Sequence, residues 1–132
     1  MIKTILSHAV NLVKHVVHKA STKSARSSSW AKTEKLFLQD HSRCAACGSV
    51  KRLNVHHIKP FHLHPELELD PNNFITLCMD NDCHLLIGHG GNFKAYNPNV
   101  VADTEFVATG KGDLKPLLEV VATRAKAQRV FE

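Results

Sequence analysis

Two cysteine pairs, Cys44-x2-Cys47 and Cys78-x4-Cys83, are separated by thirty residues. Each gap suits structural zinc, because a tight turn must deliver two thiolates to one tetrahedral ion. Gly48 follows the first pair, where such a turn asks for a residue without a side chain. Two disulfides or four buried thiols are the competing readings. Between the pairs lie His56 and His57, side by side, and then Asn72 and Asn73; His84 directly follows the last cysteine. Zinc at Cys83 would anchor the start of a helix and so position His84. His56 and His84 can then converge on a divalent cation, a transition metal or Mg²⁺ held together with phosphate. Neighbouring side chains on a strand point to opposite faces, so His57 is left to take a proton from water near neutral pH.

These residues need elements to hold them. WAKTEKLFLQDH reads as a helix with Ser28 or Ser29 as N-cap and Trp30, Leu36, Phe37 and Leu38 on its buried side. A cysteine turn then leads into a strand over residues 52–58, stopped by Pro60. FHLHPELELDPNN is a loop, and Phe74 to Cys78 is a second strand, rich in β-branched and aromatic residues. NDCHLLIGHGG predicts a short helix with Asp80, Asn81 or Asp82 as cap and Gly88, Gly90 and Gly91 at its end. NFKAYNPNVVADTEFVATGKG reads as irregular. Asp113 is expected to cap a final amphipathic helix whose Pro116 falls in its first turn.

The 132 residues suit one domain with an arm, and 43% hydrophobic content permits a core that still calls for a staple. A net charge of +5 favours an anionic partner, nucleic acid before anionic lipid. There is no apolar run of membrane-spanning length, and no membrane partner is expected. The first thirty residues carry no acid, and their apolar residues recur with helical period. They read as an amphipathic helix or a DNA-contacting arm, with a transit peptide as the other option. Polar breaks at His8, Asn11, Lys14 and His15 argue against an export signal. A reducing, cytoplasmic setting is therefore expected, organelle targeting being the alternative.

The order C-x2-C, VHHI, NNFITLC, then Cys83 followed at once by His84, resembles the HNH nucleases with a zinc-stapled ββα-metal fold. The resemblance spans Trp30 to about Asn92. It implies an α+β fold: a small ββα-metal (His-Me finger) core with a four-cysteine zinc site, flanked by N- and C-terminal helices. The expected organisation is a basic helix and linker at 1–29, the core at 30–95, and an irregular segment with a last helix at 96–132.

Residue by residue, the resemblance implies His57 as general base and His56 and His84 as ligands of a catalytic cation, Mg²⁺ or else Mn²⁺ or Ni²⁺. Asn73 matches the asparagine that braces the loop and helps orient the base, with Asn72 as the neighbouring alternative. His89 is implied as a third ligand, as in the colicin nucleases. Its five-residue distance from His84 fits an α-helical face poorly, where three or four is needed. The glycines around it could relax that geometry.

The implied activity is metal-dependent hydrolysis of double-stranded DNA, leaving 5′-phosphate and 3′-hydroxyl ends and falling off below about pH 6. Lys51, Arg52 and Lys59 flank the histidine strand as candidate phosphate contacts, and Lys94, Lys111, Lys115, Arg124, Lys126 and Arg129 extend the footprint. The alternatives are a non-catalytic zinc-stabilised module that binds nucleic acid or protein, and a secreted disulfide-stapled protein.

Overall fold

The computed structural model describes residues 25–129, so the expected N-terminal helix lies outside the described residues. Helix α1 spans Trp30–Asp40. Trp30 and Phe37 are seven residues apart and share a face; both meet the ring of Phe74 edge-on, at 5.5 and 5.2 Å between centroids. Leu36 turns away and is exposed, contrary to the expected buried side, because Trp30 and Phe37 set which stripe faces inward. Ser29 stands at the N-cap position, but its side chain makes no capping bond.

Strand β1 (Leu53–His57) pairs antiparallel with β2 (Phe74–Cys78). The β2 bounds are those expected. β1 starts one residue late, since Arg52 has a left-handed φ of 51°. In the register, Leu53 faces Cys78 and His57 faces Phe74, so one end of the hairpin carries a cysteine and the other a histidine. The loop between the strands holds two 3₁₀ turns, Pro65–Leu67 and Pro71–Asn73. Asp70 caps the second turn by accepting from the Asn72 amide.

The cysteine turn is closed by Gly48 N donating to Cys44 O at 2.9 Å. Gly48 sits at φ +79°, a conformation that side chains resist. The Ala45 amide donates to Thr76 O and fastens this turn to β2.

Beyond β2, His84–Gly88 is wound as a π-helix rather than an α-helix, with Cys83 as its N-cap residue. The segment expected to be irregular contains a helix, α2 (Val100–Thr109). Val100, Thr104 and Val107 recur at i, i+4 and i+7 and are all buried, so packing wins over the weak helix propensity of β-branched residues. α3 (Lys115–Arg129) begins as expected, with Asp113 Oδ1 accepting from the Lys115 amide and Pro116 in the first turn.

The core gathers Leu77 from β2, Ile87 from the π segment, Val100 and Val107 from α2, and Leu117 from α3, around Cys44, Cys78 and Cys83. Among the described residues, no helix is long and apolar enough to cross a membrane.

Candidate metal centres and active-site cleft

The four cysteine sulfurs all lie within 4.8 Å of one another, and none is in a disulfide. Cys44 and Cys47 come from the glycine turn, Cys78 from the end of β2, and Cys83 from the start of the π segment. Asn81 tightens the set: its amide donates to Cys78 Sγ at 3.4 Å and its side chain to Cys47 Sγ at 3.3 Å. A hydrogen bond from the Cys83 thiol pulls Cys44 down to about 4, while the same bond and burial push Cys83 far up. Burial also raises Cys78. Four thiols this close can ionise together only around a cation, so the cluster is positioned to form a zinc site.

A second cluster stands at the other end of the sheet. The ligand atoms of His56, His84 and His89 also lie within 4.8 Å of one another. His89, which α-helical spacing disfavoured, is brought in by the π winding, whose longer turn puts residues five apart on one side. The hydrogen bonds also choose ring tautomers. His84 Nδ1 lies 3.3 Å from Asn54 Oδ1, and His89 Nδ1 donates to Ala95 O at 3.0 Å. Their Nε2 atoms then face each other at 3.2 Å, as two neutral imidazole donors for one ion should. Burial first, then the neighbouring histidines, drives His56 down to about 3; burial and His89 hold His84 near 4. Neutral rings are the ligating form.

Gly88 leaves room for this approach. A Cβ there would lie 3.0 Å from both His56 Nδ1 and His84 Cδ2.

His57 points to the opposite face of β1, as the alternation of a strand requires. Its ring packs on Trp30 at 4.6 Å and meets Phe74 edge-on. Nε2 lies 2.9 Å from Glu68 O. Burial lowers the His57 pKa, and the Glu68 carbonyl opposes that by favouring the protonated ring. Asn73 is buried and clamps Lys59 from both sides: Oδ1 accepts from Lys59 N at 2.8 Å, and Nδ2 donates to Lys59 O at 3.0 Å. Its own carbonyl accepts from Ile58 N. Asn72 is exposed and makes no such brace.

Both histidine faces open on one cleft of about 670 Å³, lined also by Arg26, Trp30, Glu34, Phe61, Phe93 and Lys94. Residues 44–90 match the family model described as HNH endonuclease. This stretch is an HNH domain. No curated protein and no solved structure matches the chain. The HNH domain takes in both cysteine pairs, the hairpin and His89, while α1, α2 and α3 lie outside it.

Lys51, Arg52 and Lys59 are exposed and do not line the cleft of the HNH domain; Lys51 and Arg52 sit at its cysteine end. The cationic side chains that do line it are Arg26 and Lys94. Arg26 lies over the rings of Phe61 and Trp30, at 4.5 and 5.4 Å to their centroids. Arg124, expected as part of the surface footprint, is instead engaged by buried Asp103.

Glu68 escaped sequence reasoning altogether. Its carbonyl holds His57, and its buried carboxylate accepts from the Ser27 amide at 3.0 Å, with Arg26 at 3.8 Å. A role carried by a main-chain carbonyl leaves no mark in residue type.

Proposed function

We propose that the protein is a metal-dependent endonuclease that hydrolyses phosphodiester bonds of double-stranded DNA. The observation that carries this reading is the convergence of His56, His84 and His89 beside His57 in one cleft. The HNH match supports a nuclease-type domain, and the net charge of +5 supports a polyanionic substrate.

His57 is the general base. A carbonyl can only accept, so the proton on Nε2 is committed to Glu68, and Nδ1 of the neutral ring takes the proton of the attacking water. The water oxygen bonds to phosphorus, the bond from phosphorus to the 3′-oxygen breaks, and that oxygen takes a proton from solvent, so 5′-phosphate and 3′-hydroxyl ends result. Asn73 fixes the backbone at Lys59, two residues past His57, and so steadies the base. His56, His84 and His89 would hold the catalytic cation. When bound, the cation supplies positive charge at the scissile phosphate and the leaving oxygen. Three imidazoles and no carboxylate favour Ni²⁺ or Zn²⁺ over Mg²⁺ and Mn²⁺. The four cysteines would hold a structural Zn²⁺.

Plasmid nicking with Mg²⁺, Mn²⁺ or Ni²⁺, comparing wild type with His57→Ala, tests the proposal. The substitution should cost about 10²-fold or more in rate while DNA binding persists. Equal cleavage by both proteins would sink the mechanism. Cleavage by neither, with DNA still bound, would favour a non-catalytic zinc-stabilised binding module.

A further inference from the structure

His84 and His89 converge because the segment between them is π-wound. Such winding is rare and less favourable than the α-helix, so something outside the segment must hold it. Ile87 is the penultimate residue of the segment, and its carbonyl has no later amide within the segment to accept from. Asn97 supplies the donor: Nδ2 lies 2.7 Å from Ile87 O.

The second hydrogen of that amide goes to Asp103 Oδ2 at 2.9 Å, and Asn97 Oδ1 accepts from Asn99 N at 2.9 Å. With both hydrogens and the oxygen committed, the side chain has one orientation available. Asp103 is in turn gripped by both terminal nitrogens of Arg124, at 2.8 and 2.9 Å. Asn97 and Asp103 are buried, at 8% and 3% exposure, where a misplaced polar group is costly. Asp103 belongs to α2 and Arg124 to α3, both outside the match at 44–90. The same stretch of chain holds His89 directly, through Ala95 O.

We infer that Asn97, oriented by the Asp103–Arg124 pair, is a positioning residue for the three-histidine site. It holds the π turn in the winding that keeps His89 Nε2 against His84 Nε2. The inference rests on the reading that these three histidines bind a cation. Asn97 touches neither that cation nor the substrate.

The test is calorimetric titration of the zinc-replete full chain with Ni²⁺ alone. Wild type is compared with Asn97→Ala, with Asn97→Asp, which keeps the shape but has no hydrogen for Ile87, and with Arg124→Gln. Both Asn97 variants should bind Ni²⁺ about tenfold more weakly or worse, and Arg124→Gln should weaken it by less. Zinc content and the thiolate charge-transfer spectrum of the cobalt-substituted cysteine site should stay as in wild type. Wild-type affinity in either Asn97 variant would overturn the inference, as would equal damage to both metal sites, the mark of a merely structural role. If neither Asn97 variant folds, Arg124→Gln decides, and an unchanged affinity there would overturn it. A wild-type protein that binds no Ni²⁺ would overturn this inference together with the cation reading, whereas normal binding by all variants overturns this inference alone.

Discussion

His57 Nε2 donates to the main-chain carbonyl of Glu68 at 2.9 Å, and that one bond decides which nitrogen of the ring is free to act. The ring is also covered by Trp30, at 4.6 Å between centroids. Tautomer and environment are thus fixed by two residues that have no chemistry of their own to perform.

The cover predicts a pH profile. Burial disfavours the charged ring, so the His57 pKa lies below its usual 6.5, and the neutral, proton-accepting form persists to lower pH. The acid limb of nicking activity should therefore have its midpoint below 6.5. Trp30→Ala lets water reach the ring and should move that midpoint upward. A limb that stays in place, or moves down, would refute the role of burial.

Asn73 makes two hydrogen bonds to Lys59 and a longer one, 3.4 Å, to Leu67 O. Asn73→Ala leaves these half-buried main-chain groups without their partner and should cost about 1–3 kcal/mol of stability. At a temperature where the variant is still folded, nicking should also fall. Urea denaturation beside a nicking assay measures both, and full activity in a destabilised variant would separate the brace from the chemistry.

Gly88→Ala is a test of the cation site by a single methyl group. Its φ is not in the left-handed region, so the effect is steric: the added carbon meets His56 and His84 rings at 3.0 Å. We expect a stability loss of about 1–3 kcal/mol and weaker cation binding. Calorimetric titration with Ni²⁺ should show it; unchanged affinity would mean that the rings have slack.

The cation-free protein should lose stability in acid. His56 and His84 titrate near 3 and 4 when folded but near 6.5 when unfolded. Between those values the unfolded chain binds more protons, so stability is full above about pH 6.5 and falls as pH drops toward 4. Each histidine adds a slope of up to about 1.4 kcal/mol per pH unit in that window. Denaturation of protein carrying zinc at the cysteines but given no second cation, at pH 7, 6 and 5, measures the slope, and His56→Phe should make it shallower.

Much of this was legible in the residues. The strand Phe74–Cys78 announced itself by β-branched and aromatic content, and the cysteine spacing announced the convergence of four thiols. The opposite faces of His56 and His57 followed from strand geometry alone. The spacing argument against His89 did not apply, because three-or-four spacing is a rule for α-helices, and no residue in HLLIG signals π winding. α2 was missed since VVADTEFVAT has weak intrinsic propensity, and Asn99 at its start makes no side-chain cap. Its helicity comes from burying Val100, Thr104 and Val107 against elements distant in sequence. Lys51 and Arg52 are close to the histidines in the chain, yet the register puts them at the far end of the hairpin.

Cys83 and His84 are consecutive residues, so a single peptide bond joins the thiol cluster to the histidine cluster. Until the thiols close around zinc, the start of the segment that presents His84 and His89 lacks its metal anchor. The site is therefore expected to load in a set order, zinc first and the catalytic cation second. Apoprotein offered Ni²⁺ without zinc should take up little of it at the histidines, and prior zinc should restore uptake. Such a dependence would make zinc occupancy a precondition for cation uptake at the histidines, written into two adjacent letters of the chain.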